Sequence, residues 1–407
     1  MKEQGKALGM PLLSGGMLAV LVAQFLSALA DNAALIAAIA IVKSQGLASL
    51  VPMLQDAFVA PFILLAPFAG QFADGFPKAR VMLAANLVKF CGALAMALGA
   101  NPLAAYGLIG IGATMYSPAK YGILAQMFGP AALVRANGMM EGSTIVAILT
   151  GVLLGGWLAD HSLARFHTLA LAFAGVMLAY GLAAVANLFI PRLPAEHPGA
   201  EFHPWLLLRK FRAALALMFK NPDARFSLLG TSIFWGSGIT LRLMLFAWVP
   251  AALLISDNQT PANLMGAVSV GIVLGAGAAG LWISLARVNR ALIGGLLLGP
   301  VILALGFVHN LTAAAIFMVA IGACGGLFVV PLNALLQERG HRTIGAGKAL
   351  AVQNFSENLA MLIFVALYGA AIALHIPVIA ASIGFGLLLL AFIGALAWLR
   401  FRRPSSP

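Results

Sequence analysis

The chain has 407 residues, of which 62% are hydrophobic and only 9% are charged, against the roughly 25% charged residues of an ordinary soluble domain. Because a helical membrane span needs about 20 apolar residues, this composition excludes a water-soluble fold, a collagen-like chain and a disordered chain. The two cysteines, Cys91 and Cys324, lie in apolar runs without metal-ligand spacing, so we expect no disulfide framework, no metal site and no cofactor.

Hydropathy in windows of about 19 residues predicts an all-α membrane protein with twelve transmembrane helices. In chain order the predicted spans are 17–42, 50–72, 81–99, 102–127, 137–159, 168–190, 225–250, 262–284, 291–308, 311–336, 346–371 and 376–399. A polar, proline-containing segment separates the first six from the last six. We therefore expect an N-terminal six-helix bundle over 1–190, a central loop over 191–224 and a C-terminal six-helix bundle over 225–407.

The distribution of Lys and Arg predicts the orientation. An even number of spans places both termini on one side of the membrane, and the loops on that side carry 19 basic residues against two, Lys43 and Arg165, on the other side. The positive-inside rule therefore places both termini and the central loop in the cytoplasm. The net charge of +12 thus reports orientation and affinity for anionic membrane lipids, and we expect no nucleic-acid partner.

A cleaved secretory signal is the alternative interpretation of the N-terminus. Lys2 and Lys6 precede an apolar run that reaches the small residues Ala28-Leu29-Ala30, which is typical of a cleavage site. The run continues to Val42, however, and cleavage would leave an odd number of spans. We therefore favour a retained first span.

The two halves share landmarks at a nearly constant offset. These are Gly70 and Gly280, Arg80 and Arg290 at an offset of 210, and Pro118 and Pro331, Glu141 and Asn354 at an offset of 213. Two parallel six-span repeats are an arrangement of transporters whose substrate site lies near the bilayer midplane.

The segment 70–80 reads Gly-Gln-Phe-Ala-Asp-Gly-Phe-Pro-Lys-Ala-Arg and resembles the signature loop of the major facilitator superfamily. The resemblance implies the two-bundle fold of that superfamily and alternating access. It also implies that Asp74 caps and pairs across the cytoplasmic face of the bundles, with Lys78 and Arg80 completing the network after Gly70. The match departs at Pro77, where the family has a second glycine. A solvated turn is the alternative interpretation.

Six ionisable residues lie inside the predicted spans, and each costs about 2.5 to 3.5 kcal/mol at a helix centre if unpaired. They are Asp31, Lys89, Lys120, Glu141, Arg242 and Glu357. Similar depth on symmetry-related spans predicts a central to outer pair of Asp31 with Arg242, and an inner pair of Lys120 with Glu141. For Lys89 we expect snorkelling or a structural role rather than binding.

Neutral polar residues gather on the same spans. In the first span Gln24, Ser27, Asp31 and Asn32 predict one wet face. In the eleventh, Gln353, Asn354, Glu357 and Asn358 form a similar group. Pro118 and Pro331, which we expect to break their spans, free backbone groups that are tolerated beside a cavity or a neighbouring helix. The predicted substrate-binding or gating residues are therefore Asp31, Asn32, Lys120, Glu141, Arg242, Gln353, Asn354 and Glu357.

An Arg and a Lys in an apolar cavity favour a phosphate-bearing, amphiphilic substrate. Several strings then show a closer resemblance, to the bacterial lysophospholipid transporter family. They are 22–33, Tyr-Ser-Pro-Ala-Lys-Tyr-Gly-Ile over 116–123, 136–141, Phe-Trp-Gly over 234–236 leading to Arg242, 330–340 and 351–358. This resemblance implies flipping of lysophospholipids such as 2-acyl-glycerophosphoethanolamine from the outer to the inner leaflet of the bacterial inner membrane, where an acyltransferase partner re-acylates them. We expect a monomer.

Three other classes of protein compete with this interpretation. A proton-coupled exporter of amphiphilic drugs with the same fold would use an intramembrane acid, for which Asp31, Glu141 and Glu357 are candidates. An intramembrane acyltransferase is disfavoured because no His is followed by Asp five positions later, and no motif for ATP hydrolysis occurs. A scaffold without transport would not explain six charges inside the spans.

Overall fold

The computed structural model describes residues 9–46, 51–166, 168–199, 203–255 and 259–402. Within these ranges the chain forms fourteen α-helices, one short 3-10 helix over Leu285–Arg290 and no strand. Of the basic residues that predict the orientation, Lys2, Lys6 and Arg403 lie outside the described residues.

The helices follow one another with short connections. Eight lie before the end of the central segment: α1 Gly15–Ser44, α2 Val51–Leu64, α3 Ala66–Gly75, α4 Lys78–Ala97, α5 Pro102–Met127, α6 Pro130–Phe166, α7 Ala170–Leu188 and α8 Pro204–Lys220. Six follow: α9 Pro222–Leu253, α10 Gln259–Trp282, α11 Ala291–Leu305, α12 Leu311–Thr343, α13 Ala346–Ala373 and α14 Val378–Phe401.

Every predicted span corresponds to a helix or to one helix pair. Among the described residues ten helices are long and apolar enough to cross a membrane, and an eleventh span is added if α2 and α3 are one span bent by 63°. The predicted span 102–127 is α5, 26 residues long, and it is not among these ten helices. Its start is encoded locally, because Asn101 caps the N–H groups of Leu103 and Ala104 and Pro102 follows it.

Two features of the helices differ from the predictions. Pro118 and Pro331 lie inside α5 and α12, so the expectation that they break their spans is wrong, and each removes only one backbone donor. The central segment, predicted as a loop, contains α8. Its helical pattern is hidden by the prolines on either side and by its many basic residues.

The described chain divides into two compact units. Unit 1 comprises 1–129, 143–215 and 340–354, and unit 2 comprises 130–142, 216–339 and 355–407. Each unit therefore includes a short stretch from the other half of the sequence, and four helices contribute to both units, namely α6, α8, α12 and α13. The predicted bundle boundaries at 190 and 225 stay a prediction.

Unit 1 is built on α1, α4, α5 and α7, which pack closely on one another. Its core is rich in alanine and includes Ile109, Phe173 and Tyr180. Small residues allow the helices to approach, as is common in membranes. A Cβ added to Gly92 of α4 would lie 2.7 Å from the side chain of Ile109 on α5.

Unit 2 packs α9, α11 and α14 around a core that includes the fully buried Trp248. Its helices α10 and α12 meet through two Gly-x-x-x-Gly motifs, one with Gly271 and Gly275 and one with Gly322 and Gly326. A Cβ on Gly271 or on Gly322 would lie 2.9 Å from the other residue's Cα atom. Such close contact is the usual role of this motif in membrane helices.

Candidate functional site

A buried ion pair lies between α1 and α4 in unit 1. The Lys89 ammonium donates to Asp31 Oδ2 at 2.7 Å and to Ser27 Oγ at 3.0 Å. The Tyr180 hydroxyl donates to the other carboxylate oxygen of Asp31 at 2.8 Å. The Lys89 side chain is 2% exposed and that of Asp31 is 17% exposed. Both oxygens of Asp31 therefore have a donor, and its charge is balanced.

The Asp31 cluster consists of Ser27, Asp31, Asn86, Lys89 and Tyr180. Helical spacing aligns its members on α1 and its members on α4. Ser27 and Asp31 are four residues apart on α1, and Asn86 and Lys89 are three apart on α4, so each pair shares a helix face. The Ser27 hydroxyl donates to Asn86 Oδ1 at 2.7 Å. Two polar faces thus oppose each other across an apolar helix pair.

The helix α5 completes the surroundings of Lys89. The Lys89 ammonium lies 4.9 Å from the centre of the Tyr116 ring, within the range of a cation–π interaction. Gly112 leaves room for the stem of Lys89, because a Cβ at this position would lie 2.6 Å from Lys89 Cγ. A lysine buried in this way is a specific structural element of the site.

The structure bears on the expectations for Lys89 and Asp31. Lys89 does not snorkel, because it is buried and bonded, which fits the expected structural role. Lys89 neutralises Asp31 within unit 1, and the predicted pair of Asp31 with Arg242 stays a prediction. Arg242 lies exposed on α9 in unit 2. Sequence reasoning matched charges by depth on symmetry-related spans, and so missed a partner on a neighbouring helix of the same half.

Most of the polar residues predicted to line one face of α1 bond to side chains of neighbouring helices, and the wet face itself stays a prediction. Besides the bonds of Ser27 and Asp31, Gln24 Nε2 donates to Thr144 Oγ1 at 3.0 Å. Asn32 does not join the Asp31 cluster through its amide nitrogen, which donates to the Ala28 carbonyl of its own helix at 2.8 Å.

A second charged cluster in unit 1 joins α3 to the start of α13. Asp74 is fully buried, and its two carboxylate oxygens accept from the backbone N–H groups of Gly347 at 2.7 Å and Lys348 at 3.0 Å. These are orphan donors of the first turn of α13, where a negative charge is favourable. These two bonds to backbone N–H groups are what the predicted capping role of Asp74 requires.

Lys78 bridges Asp74 to a second carboxylate. Its ammonium lies 3.3 Å from Asp74 Oδ1 and 3.2 Å from Glu196 Oε1. Glu196 also accepts from the Ala346 N–H at 2.9 Å and contacts His341 Nδ1 at 3.2 Å. Burial alone would raise the pKa of Glu196, but the His341 hydrogen bond, the Lys78 charge and the Ala346 N–H hold this pKa down at about 2.

Glycines of α13 and its preceding turn are required beside Asp74. Gly345 has a φ of +98°, and a Cβ on Gly347 would lie 2.5 Å from Asp74 Oδ1. Gly70 packs equally closely, because a Cβ added to it would lie 2.8 Å from Lys348 Cα. The predicted conformational residue Gly70 therefore touches the element that Asp74 caps.

The predicted network of Asp74, Lys78 and Arg80 needs one correction and two additions. The Arg80 side chain is exposed and forms no hydrogen bond or ion pair with the residues that the structure describes. Its place is taken by Glu196 and His341, which sequence reasoning missed because they lie in the central segment and at the end of α12. Asp74, Glu196 and His197 offer closely spaced metal-ligand atoms, but the Lys78 ammonium lies between the two carboxylates, which favours an ion pair.

In unit 2, α6 and α12 are joined by two polar contacts. Asn137 and Gln337 exchange hydrogen bonds of 2.9 and 2.6 Å, and both side chains are fully buried. One turn after Asn137 on α6 and one turn before Gln337 on α12, Asn333 Nδ2 donates to Glu141 Oε1 at 3.1 Å. The structure thus gives Glu141 an amide partner. The predicted pair of Glu141 with Lys120 stays a prediction.

A related contact joins α5 and α13 in unit 1. Ser117 and Asn354 exchange hydrogen bonds of 3.0 and 3.3 Å, and Asn354 stands 213 residues after Glu141. The pairs α6–α12 and α5–α13 are equivalent in the internal repeat, and each pair is joined by hydrogen bonds between polar side chains. Lys120, one turn after Ser117, is 9% exposed and lies 4.6 Å from the Tyr121 ring centre. Gln353 and Glu357 of α13 are buried as well.

These clusters are suited to binding and gating. Buried ammonium and carboxylate groups can bind the opposite charges of a zwitterionic or phosphate-bearing solute. Intramembrane ionisable residues of this kind mark substrate paths in transporters.

Comparison with known proteins agrees with this chemistry. The family model of the Major Facilitator Superfamily matches residues 20–365. The chain is 50% identical over 395 residues to the lysophospholipid transporter LplT of Photorhabdus laumondii, which covers 97% of this chain and 98% of that protein. It is also 50% identical over 393 residues to LplT of Escherichia coli K12, covering 96% of this chain and 97% of the relative.

Solved structures show the same fold at low identity. The human organic anion transporter MFSD10 superposes with a TM-score of 0.71 at 17% identity, covering 94% of this chain and all of that one. The Escherichia coli fucose:proton symporter FucP superposes with a TM-score of 0.70 at 14% identity, covering 94% and 98%. The chain is therefore a member of the Major Facilitator Superfamily and belongs, within it, to the family of the LplT transporters.

Proposed function

We propose that this protein moves lysophospholipids, such as 2-acyl-glycerophosphoethanolamine, from the outer to the inner leaflet of the bacterial inner membrane. The observation that carries the proposal is the 50% identity to LplT over nearly the whole of both chains. Both termini lie in the cytoplasm in this proposal, as the distribution of basic residues favours.

The headgroup is held by the charges inside the spans. Arg242, exposed on α9, takes the phosphate, for which a guanidinium is well suited. The headgroup amine approaches Asp31. Because Lys89 and Tyr180 already occupy both oxygens of Asp31, the amine shares or displaces the Lys89 contact rather than meeting a free carboxylate.

Deeper polar residues receive the headgroup on the inner side. Lys120 binds the phosphate there, because it is the buried cation of α5. The remaining members of the binding or gating set are Asn32, Glu141, Gln353, Asn354 and Glu357. The acyl chain stays against apolar helix faces, so its apolar surface remains out of water.

Alternating access requires contacts that form and break. The cap of α13 by Asp74, with Lys78 and Glu196, joins residues from both six-helix halves of the sequence. The α6–α12 and α5–α13 hydrogen bonds do the same. We propose that these contacts hold the inner side closed and that Gly70 permits their close packing.

The flipped lysophospholipid is then a substrate for re-acylation. An acyltransferase on the inner leaflet is the functional partner in this proposal, so the protein serves phospholipid remodelling without itself being an enzyme. A monomer suffices for this role.

Replacement of Arg242 by Ala tests the proposal. We expect loss of lysophospholipid uptake by spheroplasts with unchanged membrane expression. The matched control is Arg287→Ala, which removes the same charge from an exposed residue of the 3-10 helix and leaves uptake unchanged. Normal uptake by the Arg242 variant would contradict the assignment of the phosphate site.

A further inference from the structure

The helix α8 has one apolar stripe that packs on unit 1. Leu207 and Ala214 are buried and Phe211 is half-buried, at spacings of three and four residues. These side chains surround a small cavity together with residues of α3 and of the first turns of α13, including Gly70 and Lys348. One face of α8 is thus fixed against the helices that Asp74 joins.

Another face of α8 is basic and exposed. Trp205 is 72% exposed and Leu208 is 41% exposed, and Arg209 and Arg212 are exposed beside them. The spacings of three, four and seven residues from Trp205 place these side chains on one face. With Ala213 they line a shallow groove of about 440 Å³.

The position of α8 along the chain places this face at the membrane surface. The helix ends at Lys220, and α9, a 32-residue membrane span, begins at Pro222 after the cap Asn221. One residue therefore separates α8 from a span. An amphipathic helix with Arg and Lys beside an exposed Trp is typical of segments that lie in the membrane interface.

We propose that the exposed face of α8 binds the phosphodiester headgroups of anionic phospholipids in the adjacent leaflet. Arg209 and Arg212 meet the phosphates, because guanidinium groups form bidentate bonds to phosphate oxygens. Trp205 and Leu208 contact the region between headgroups and acyl chains. This inference concerns the resident membrane rather than the transported substrate, and it holds whether or not the proposed function does.

Quenching of a probe on α8 tests the proposal in the full chain. Ala216 is exposed and lies eleven positions after Trp205, on the same face, so Ala216→Cys in a Cys91→Ser, Cys324→Ala background carries a fluorescent label there. The protein is reconstituted in vesicles of phosphatidylcholine alone or with one part in four of phosphatidylglycerol. Acrylamide, an uncharged quencher, reports the exposure of the label to water.

We expect the quenching constant to be about twofold lower in the vesicles with phosphatidylglycerol, and this difference to disappear in about 1 M salt, where the screening length is about 3 Å. The variant Arg209→Gln, Arg212→Gln should lose the difference. The matched control Arg287→Gln, Arg290→Gln removes two exposed charges from another loop and should keep it. Two results would overturn the proposal. One is an equal quenching constant in both kinds of vesicle for the labelled protein that keeps Arg209 and Arg212. The other is a difference in the quenching constant that survives in the Arg209→Gln, Arg212→Gln variant.

Discussion

The Lys89 ammonium lies 2.7 Å from Asp31 Oδ2, between the membrane-spanning helices α4 and α1. Each charge alone costs several kcal/mol to bury, and pairing with additional hydrogen bonds to the two charged groups offsets this cost. Tyr180 and Ser27 provide those additional bonds. The Asp31 cluster is therefore electrically balanced within unit 1.

Replacing Lys89 by Met should destabilise the protein by about 3 to 5 kcal/mol, because it leaves a buried carboxylate without its cation. Thermal unfolding in detergent micelles measures the effect as a lower melting temperature. The double variant Asp31→Asn, Lys89→Met removes both charges and should recover most of the loss. Equal melting temperatures of the single and double variants would show that the pair is not coupled.

Gly347→Ala should weaken the cap of α13. The added methyl group would lie 2.5 Å from Asp74 Oδ1, and relief of such overpacking typically costs about 1 to 3 kcal/mol. Gly75→Ala is the matched control, since a Cβ there meets no atom within 4 Å. We expect a lower melting temperature for the first variant only. A similar change in both would indicate that the space beside Asp74 is not limiting.

The contribution of Glu196 should depend on pH in an acidic window. Its pKa is lowered from 4.5 to about 2 in the folded protein, so its stabilising effect is present above about pH 4.5 and is lost as the pH falls towards 2. The melting temperature of the protein should exceed that of Glu196→Gln, and this difference should not decrease, between pH 7 and pH 5. The difference should shrink below pH 4.5. A difference that already shrinks between pH 7 and pH 5 would contradict this assignment.

Asn137 and Gln337 should show strong coupling. Asn137→Leu leaves the buried amide of Gln337 without its partner, which costs about 1 to 3 kcal/mol. Adding Gln337→Leu removes the second polar group, so the double variant should lose less than the sum of the two single changes. Melting curves of the three variants provide the comparison. Additive losses would exclude a direct contribution of the two hydrogen bonds.

The helices were predictable because apolar length is a strong signal in a membrane. The span 102–127 has the bounds of α5, since Asn101 and Pro102 mark its start in the sequence itself. Other helices, such as α6 over Pro130–Phe166, extend beyond the predicted apolar span, because hydrogen bonding of the helix continues through residues too polar for a hydropathy window.

The candidate site was predictable in its residue types but not in its pairs. Asp31, Asp74 and Lys78 stand out in the sequence because a charge inside or beside an apolar span is costly. Their partners Lys89 and Glu196 depend on which helices pack and where the central segment runs. Such tertiary contacts leave no periodic signal.

The helix α8 shows the same limit for a surface element. Its basic residues predicted affinity for anionic lipids but not a helix. Only the structure separates the buried face with Leu207 from the exposed face with Trp205.

The proposed transport is measured as the movement of a labelled lysophosphatidylethanolamine across the bilayer of proteoliposomes. We expect the protein to accelerate this movement over protein-free vesicles, and we expect Arg242→Ala to abolish the acceleration. The same assay with and without a pH gradient separates lysophospholipid flipping from proton-coupled export of amphiphilic drugs. A rate of lysophospholipid movement equal to that of protein-free vesicles, both with and without the pH gradient, would contradict the proposed function.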